Sequence, residues 1–360
     1  MIQVLPSERS VVAILNWNGL RLLQAYLPSV VEHSEGDADV VVIDNGSTDD
    51  SMAWCSEHYP DIQQVLLKEN LGFAGGYNAG LQQIEAKTYV LLNSDVRTTP
   101  NYIPPVLHMM ATEGYAACQP MICNDADPEL FEYAGAAGGY IDRHGYTFCA
   151  GRIFEVFESN FGQYDSNREV FWASGAALFM DAKAFHLVGG LDADFFAHME
   201  EIDLCWRLKN RGYRIGVCGG SIVYHLGGGT LQKTSPFKTY LNFRNNLFLL
   251  VKNHHRVSLY PMLFSRLVLD GVAAIKFLTE GSGTLFLAVI RAHRDFYKMF
   301  GAMRKRRQLE GQSISETPDE FGVGILNYAG WYKRSILIDY FFLKRHTFKD
   351  LDSSAFEPLR

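Results

Sequence analysis

The sequence predicts an α/β protein in which a doubly wound, mostly parallel sheet is flanked by helices and followed by a mainly helical C-terminal extension. Three observations predict this fold. Short apolar runs rich in β-branched residues recur through the first hundred residues, with helix-like segments between them. Each run ends in a polar cluster. Beyond residue 230 the chain becomes basic and its pattern is typical of helices.

Four apolar runs are predicted to be buried parallel strands, namely residues 11–15, 40–43, 65–67 and 89–92. The segment LRLLQAYLPSVVEH, between the first and second runs, has apolar residues at helical spacing. AGGYNAGLQQIEA, between the third and fourth, is a second helix candidate. This alternation of strand and helix predicts βαβ units.

The later part of the first 230 residues is less regular. Residues 100–170 are predicted to form connecting segments and irregular strands, and residues 171–180 a strand that returns to the sheet. A helix is expected over 181–188, before Gly189 and Gly190, and another in LCWRLKN. YRIGVC is a further strand candidate.

Charge divides the chain near residue 230. Residues 1–230 hold 13 Lys and Arg against 29 Asp and Glu, a formal charge of −16, whereas residues 231–360 hold 20 against 11, a charge of +9. We therefore expect one domain over 1–230 and a basic, amphipathic helical extension over 231–360, with breaks at 281–283 and 311–318.

Composition limits the class of protein. A hydrophobic content of 48% with 20% charged residues is ordinary for a soluble globular protein. The six cysteines form no C-x-x-C pair, so we expect reduced thiols, no disulfide and no zinc site. No signal peptide and no membrane-spanning run are recognised, and a cytoplasmic location is expected.

Polar residues follow the predicted strands where each strand ends. They are Asn16 and Asn18 after the first strand, Asp44 after the second, and Asn93, Ser94 and Asp95 after the fourth. Open α/β sheets bind ligands at the carboxyl ends of their strands, so we expect these residues to line one crevice. Asp44 is suited to accept hydrogen bonds from a base or ribose; its alternative role is to begin a turn at Asn45-Gly46.

The segment from Asn70 to Asn78, NLGFAGGYN, places Gly72 and Gly75 where a loop enters a helix. Glycine lets backbone N–H groups approach a phosphate or a sugar. The alternative is tight backbone packing. Because no G-x-G-x-x-G follows a strand here, a dinucleotide-binding fold is not favoured.

The segment FFAHMEEIDLCWR carries Glu200, Glu201 and Asp203 among aromatic and apolar neighbours. Like charges and apolar surroundings raise the pKa of a carboxyl group, so at least one of the three is predicted to be a base. The alternative is a helix start, in which acidic residues favour the macrodipole and Asp203 pairs with Arg207. That alternative explains Asp203 well and the two glutamates poorly.

Asp95 and His225 are candidate metal ligands. A nucleotide diphosphate would be repelled by a region of charge −16 unless a cation lay between them, and Mg²⁺ or Mn²⁺ suits that role. The alternatives are a turn or cap residue for Asp95 and a core histidine for His225. His225 precedes Gly227, Gly228 and Gly229, which can bring the backbone against a ligand.

Together these motifs resemble the family 2 glycosyltransferases, and particularly their bacterial rhamnosyltransferase-like branch. The resemblance runs from Val11 to about Thr230 and rests on ILNWNG, VVIDNGSTDDS, KENLGFAGGYNAGL, LLNSDV, FFAHMEEIDLCWRLKNRGYRI and IVYHLGGGT, in that order. It implies a GT-A fold, a nucleotide-diphosphate sugar donor, a divalent metal and transfer with inversion.

The resemblance also implies roles for single residues. Asn93-Ser94-Asp95 takes the place of the D-x-D metal motif with Asn93 in place of its first Asp, and His225 matches a metal-ligating histidine of some relatives. Glu201 becomes the candidate base; because Asp is usual there, Glu200 and Asp203 remain rivals. The predicted donor-binding residues are Asn16, Asn18, Asp44, Asn70, Gly72, Gly75, Asn78, Asn93 and Ser94.

The expected acceptor is a hydroxyl group of a glycan or of a polyprenyl-diphosphate-linked sugar in cell-surface polysaccharide synthesis. Residues 231–360 predict peripheral contact with the inner membrane face, with a solvated helical face as the alternative, and no nucleic-acid partner is expected. A nucleotidyltransferase would carry a basic Gly-rich signature near the first strand, which residues 16–20 lack. An inactive sugar- or membrane-binding module would need neither Asp95 nor the acidic cluster.

Overall fold

The computed structural model describes residues 9–227, 235–255, 258–316 and 326–358. Its strands are β1 (Ser10–Asn16), β2 (Ala38–Asp44), β3 (Gln63–Leu66), β4 (Thr88–Asn93), β5 (Val96–Arg97), β6 (Tyr115–Asn124), β7 (Gly139–Asp142), β8 (Thr147–Cys149), β9 (Arg152–Ile153), β10 (Val156–Phe157), β11 (Arg168–Glu169), β12 (Ala177–Asp181), β13 (Arg214–His225) and β14 (Trp331–Tyr332). Its helices are α1 (Leu20–Ser34), α2 (Ser51–His58), α3 (Gly72–Leu81), α4 (Pro104–Glu113), α5 (Ala182–Leu187), α6 (Glu200–Asn210), α7 (Pro236–Asn253), α8 (Leu259–Thr279) and α9 (Gly283–Glu316).

The larger sheet has the strand order β11-β13-β6-β12-β4-β1-β2-β3, with β5 paired to β13. β1 to β4 run parallel to their neighbours within this group, and β6 runs parallel to β13. β12 lies antiparallel between β4 and β6. The predicted α/β class with a mostly parallel sheet flanked by helices is therefore confirmed.

Alternation along β1 places its residues in two different apolar cores. Val11 and Ala13 pack in the same core as Tyr77 of α3, whereas Val12 and Ile14 pack in the core that contains α1 and α4. Successive side chains of a strand point to opposite faces, so a strand covered on both faces must be apolar throughout. Burial on both faces therefore explains why the VVAIL run is apolar without interruption.

The structure corrects the reading of residues 100–180. This segment contains α4 and the ten-residue strand β6, which is buried over nine of its positions. It also contains β7, β8, β9 and β10, which form a second sheet together with β14 from the C-terminal region. Pro120 hides β6 in the sequence because proline weakens a strand pattern. It is tolerated where the register of β13 shifts, between Cys218 and Ile222. The strand expected over 171–180 is shorter and begins only at Ala177.

Three long helices, α7 to α9, confirm the mainly helical extension. The expected break at 281–283 separates α8 from α9, but the break at 311–318 was placed too early, because α9 continues through Gly311 to Glu316. Residues 326–358 return to the second sheet, where β14 pairs with β7. The boundary near residue 230 stays a prediction. No helix in the described ranges is both long and apolar enough to cross a bilayer.

Candidate functional site

Parallel pairing brings the ends of three strands to one edge of the sheet. Asn16 at the end of β1 pairs with Asp44 at the end of β2, and Leu15 pairs with Asn93 at the end of β4. The polar clusters that follow these strands therefore share the edge at which open α/β sheets bind ligands.

Asn16 and Asn18 support the loop that follows β2. The buried Asn16 amide donates to Ser51 Oγ at 2.9 Å and lies 3.4 Å from Asp44 Oδ1. Asn18 has a positive φ of 50° and accepts the Thr48 backbone N–H at 2.7 Å. The Asp44 carboxylate also accepts the Ser47 backbone N–H at 3.2 Å. The predicted contact of Asn16, Asn18 and Asp44 with a nucleotide-sugar donor stays a prediction. Their hydrogen bonds show that the three residues also fix the conformation of this loop.

Asn45 is a residue that the sequence reasoning missed. It is 2% exposed, its amide nitrogen donates to Asn70 Oδ1 and to the Gly72 carbonyl, each at 3.0 Å, and its oxygen accepts the Leu71 N–H. Asn70 in turn accepts the Gly72 N–H at 2.8 Å. Asn45 thus holds the start of α3 against the end of β2, which places the Asn70 to Gly72 loop at the sheet edge.

Tight packing accounts for several glycines of α3. A Cβ on Gly76 would lie 2.9 Å from Asn45 Nδ2, and one on Gly80 would lie 2.5 Å from the Ile43 side chain. Gly72 has a φ of +73° and would meet the Phe196 ring at 2.9 Å, and Gly75 would meet Leu71 at 3.0 Å. Close packing, the alternative named for this loop, is therefore present at these positions.

Asn78 bonds to a backbone segment that is distant in the chain. Its amide nitrogen donates to the Leu191 carbonyl at 2.6 Å, and its oxygen accepts the Leu191 N–H at 2.9 Å. Because both polar atoms of Asn78, in the second turn of α3, bond to the backbone of Leu191, this side chain holds the helix against residues 190–192. These two bonds give Asn78 a structural role, and its predicted contact with a sugar donor stays a prediction.

Asp95 and His225 meet because β5 pairs antiparallel with the end of β13. His225 Nε2 lies 3.1 Å from Asp95 Oδ1, and His225 Nδ1 lies 3.2 Å from Glu132 Oε2. The side chains of Asp95 and His225 are each 7% exposed, and that of Glu132 is 4% exposed. Glu132 was absent from the sequence prediction, since nothing local to it signals a partner 93 positions away. Gly227, with a φ of +67°, makes room for it: a Cβ there would lie 2.5 Å from Glu132 Oε1. Gly228 and Gly229 lie outside the described residues.

The two carboxylates determine the charge of the histidine. Burial by itself would lower the pKa of His225, but the hydrogen bonds and charges of Asp95 and Glu132 raise it to about 10. Burial likewise would raise the pKa of Glu132, whereas the contact with His225 brings it below its ordinary value. Without a metal ion the ring is an imidazolium held between two carboxylates, and a cation that binds Nε2 takes the place of the proton there.

The donor chemistry of this group fits a divalent cation. Adjacent ligands of an octahedral Mg²⁺ lie about 3 Å apart, and the Asp95 Oδ1 to His225 Nε2 distance is 3.1 Å. Metal-bound histidines commonly give their other ring N–H to a carboxylate, the position that Glu132 has. Within the described ranges, no three His, Cys, Asp or Glu residues are grouped to hold an ion. The protein would therefore supply two ligands and leave other positions to a ligand such as a diphosphate.

Glu200 and Glu201 begin α6 and differ in burial. Glu200 is 4% exposed, whereas Glu201 is partly exposed, and the Oε2 atom of each finds no hydrogen-bond partner among the described residues. Burial, with the charge of Glu201 added, raises the pKa of Glu200 well above its ordinary value. Burial also raises the pKa of Glu201, to about 7. Near neutral pH, Glu200 keeps its proton and Glu201 can accept one.

Asp203 requires a correction. It is fully buried and forms ion pairs with Arg207 and Lys252, each at 2.8 Å, and it accepts a hydrogen bond from Asn253 at 2.7 Å. The pairing with Arg207 is the one foreseen for a helix start. Because these partners satisfy its charge away from solvent, Asp203 links α6 to α7 and is not a rival base.

The backbone before α6 is held in an unusual conformation. Phe196, His198 and Met199 all have positive φ values, of 65°, 66° and 75°. Non-glycine residues rarely adopt this region, and such residues persist only where the surroundings hold them. Asn245 of α7 does so: its amide donates to the carbonyls of Phe195 and His198 at 2.9 and 2.7 Å. Asn245 thus fixes the approach to the two glutamates.

Two connections link the acidic pair with the Asp95 turn. A Cβ on Gly175 would lie 3.5 Å from Glu201 Cβ, and the neighbouring Ala176 carbonyl accepts the Asn93 N–H at 3.0 Å. In addition, burial raises the pKa of Cys149 to about 11, and the charges of both Glu132 and Glu201 add to that rise. Glu201 therefore belongs to the same region of the molecule as the residues at the end of β4.

Part of the chain is similar in sequence to known glycosyltransferases. Residues 11–135 match the family model described as glycosyl transferase family 2. A low-salt glycan biosynthesis hexosyltransferase from Haloferax volcanii is 25% identical over 217 residues, which are 58% of this chain and 66% of the relative. An N-acetylglucosaminyl-diphospho-decaprenol L-rhamnosyltransferase from Mycobacterium tuberculosis is 26% identical over 247 residues, 64% of this chain and 78% of the relative.

A solved structure is similar in fold. The crystal structure of GalNAc-T7 with UDP, GalNAc and Mn²⁺ superposes with a TM-score of 0.53 at 15% identity and covers 68% of this chain. The chain spans only 48% of that protein. At this identity the likeness concerns the fold, which is of the GT-A type.

Proposed function

We propose that this chain, whose residues 11–135 match the glycosyl transferase family 2 model, transfers a sugar from a nucleotide-diphosphate donor to a hydroxyl group, with inversion at the anomeric carbon. The observation that carries the proposal is the Oε2 atom of the partly exposed Glu201, which has no hydrogen-bond partner among the described residues and lies beside the buried Glu200 in the region of the strand-end residues. One carboxyl group stays neutral while its neighbour is ready to accept a proton at the pH of the cell.

The donor is proposed to lie across the edge formed by the ends of β1, β2 and β4. Asp44 faces its base or ribose, the loop that begins at Asn70 lies beside it, and the diphosphate approaches Asp95. A bound Mg²⁺ or Mn²⁺, held by Asp95 and His225, would supply positive charge to the departing diphosphate. Support comes from the shared sheet edge and from the 3.1 Å spacing of the two candidate ligands.

Glu201 is the proposed base. It takes the proton of the acceptor hydroxyl as the oxygen attacks the anomeric carbon from the face opposite the diphosphate. The carbon–oxygen bond to the diphosphate breaks in the same displacement, and its electron pair leaves with the nucleoside diphosphate. Neutral Glu200 adds no second negative charge beside Glu201, which keeps the attacking oxygen from being repelled.

The proposed acceptor is a hydroxyl group of a glycan or of a polyprenyl-diphosphate-linked sugar. Two relatives support this: one is named for glycan biosynthesis and the other for a diphospho-decaprenol acceptor. Their names describe those proteins, and the acceptor of this chain is an inference from similarity.

Hydrolysis of nucleotide sugars without acceptor is the direct test. The full chain is incubated with a panel of nucleotide-diphosphate sugars and Mn²⁺, and release of the nucleoside diphosphate is measured. We expect slow hydrolysis of one donor, abolished by Glu201→Gln, because water can replace the acceptor at a working site. A binding module would bind a donor and never release its diphosphate, which would refute the proposal.

A further inference from the structure

Helix α8 exposes a continuous apolar face. Five side chains spaced four, four, four and three residues apart lie on one side of the helix, within about 120° at 100° per residue. Each of the five is between 51% and 71% exposed. The residues are Tyr260, Phe264, Val268, Val272 and Ile275. This face, here called the α8 ridge, is far more apolar than the exposed side of a helix that faces water.

The charged residues of the same helix face inward. Between Leu259 and Ile275 the only charged side chains are Arg266 and Asp270, which are 3% and 0% exposed and pair at 2.8 Å. Arg266 also lies 3.9 Å from the Tyr146 ring, and Asp270 lies 3.2 Å from His293 of α9. Over these 17 residues, about 25 Å of helix, charge is buried and apolar surface is exposed. An apolar surface of this size marks an interaction site.

The helix packed against α8 carries exposed cations. Arg291, Arg294 and Lys298 are 58%, 59% and 65% exposed at their side chains and share one carboxylate, Asp295. Residues 231–360 as a whole carry a charge of +9. An apolar face on one helix and exposed cations on a helix packed against it are together suited to anionic membranes: the apolar residues enter the boundary of the acyl chains, and the cations meet the phosphates.

The charge also argues against a second copy as the occupant of the ridge. Two copies joined through this surface would bring together two regions that each carry a charge of +9, which is unfavourable without compensating acidic residues. The described part of the chain contains no helix that could span a bilayer, so the contact would be peripheral.

We propose that α8 lies in the interface of an anionic membrane, with the α8 ridge at the acyl boundary and the α9 cations on lipid headgroups. This goes beyond the transfer reaction, because it rests on the exposed surface of α8 and α9 and on no catalytic residue. It also specifies which part of residues 231–360 meets the membrane.

Flotation of the full-length protein with lipid vesicles tests the proposal. Vesicles contain either phosphatidylcholine alone or phosphatidylcholine with one third phosphatidylglycerol. We expect the protein to float with the anionic vesicles, and the double variant F264E/V272E to bind them at least about tenfold more weakly, because it places two charges in the apolar boundary. The matched control is Phe161→Glu, the same change at a side chain that is 87% exposed and lies elsewhere; its flotation is expected to equal that of the parent.

The second charge variant, R294E/K298E, should bind anionic vesicles more weakly, and the binding that remains should depend less on added salt, because its headgroup contacts are gone. If F264E/V272E unfolds, F264S/V272S replaces it, since serine removes apolar surface without adding charge. Flotation of either ridge variant equal to that of the parent overturns the proposal. So does a parent dimer, detected by light scattering, that the ridge variants convert to monomers. Donor hydrolysis is followed in the same samples and is expected to stay unchanged, so failure of the transfer proposal and failure of membrane binding are separate results.

Discussion

The imidazole of His225 lies 3.1 Å from the carboxylate of Asp95, although 130 positions separate them in the sequence. Antiparallel pairing of β5 with β13 produces this contact, and Glu132 holds the other side of the ring. In the sequence, Asp95 and His225 were separate candidates, each with a structural alternative. The fold brings them together in one charged group at the sheet edge.

Glu201→Gln should lower turnover by roughly 10²- to 10⁴-fold and leave donor affinity within about threefold, because it removes the proton acceptor and little else. Glu200→Gln is the matched control. Since Glu200 is held neutral by burial, an amide of the same shape should cost less than about tenfold. Steady-state kinetics of both variants decides the assignment. The reverse order of effects would make Glu200 the base.

The pH dependence of kcat/KM should follow the ionisation of Glu201. Its pKa is raised to about 7 by burial, and only the ionised carboxylate can accept a proton. Activity should therefore be low near pH 5.5, rise through about 7 and level off above pH 8. In Glu200→Gln the curve should keep its midpoint, since the neighbour is neutral in both proteins. A profile that is flat between pH 5.5 and 8 contradicts Glu201 as the base.

Asp95→Ala should abolish the dependence of donor binding on a divalent cation. Calorimetry of the parent is expected to show tighter binding of a nucleoside diphosphate with Mn²⁺ than without it, because a cation would offset repulsion from the acidic half of the chain. The variant should bind equally weakly in both conditions. Equal affinity of the parent with and without Mn²⁺ would remove Asp95 from the metal-binding assignment.

Glu132→Gln should weaken Mn²⁺-supported donor binding by about 10- to 100-fold while the protein stays folded, because the carboxylate that orients the histidine ring is replaced by a weaker acceptor. A Mn²⁺ titration of diphosphate binding measures the effect. Glu129→Gln, on the same segment but exposed, provides a control that should bind Mn²⁺ like the parent. An unchanged titration for Glu132→Gln shows that the ring does not depend on it.

Asp203→Ala should destabilise the protein by about 3–5 kcal/mol, since it leaves Arg207 and Lys252 buried with less compensation. Urea unfolding followed by circular dichroism gives the free energy of unfolding. Glu201→Gln in the same experiment should cost nothing or stabilise, because it removes a negative charge from a partly buried position where one carboxylate oxygen has no hydrogen-bond partner among the described residues. Equal stability of the Asp203 variant and the parent would contradict a structural role.

Much of the fold could be read from local pattern. VVAIL, VVVI and YVLL became β1, β2 and β4 because a strand covered on both faces must be apolar along its length. The helix after Asp181 was foreseen, and the Asp181 carboxylate caps it by accepting the Ala184 N–H at 2.8 Å. β6 was missed because Pro120 interrupts its pattern, and only the register shift in its partner β13 shows how the proline fits.

The sequence by itself determined which chemistry lies at the strand ends, since polar residues after apolar runs must emerge at one edge of a parallel sheet. It also determined that Glu200 and Glu201 are crowded. Only the tertiary structure decided which candidate residues have partners within the protein. The Asn78 amide bonds to the backbone of Leu191, and Asp203 forms ion pairs with Arg207 and Lys252. Hydrogen bonds and ion pairs between residues distant in the chain depend on strand register and helix packing, and no local periodicity records them. For the same reason Glu132, Asn45 and Asn245 became visible only in the folded chain.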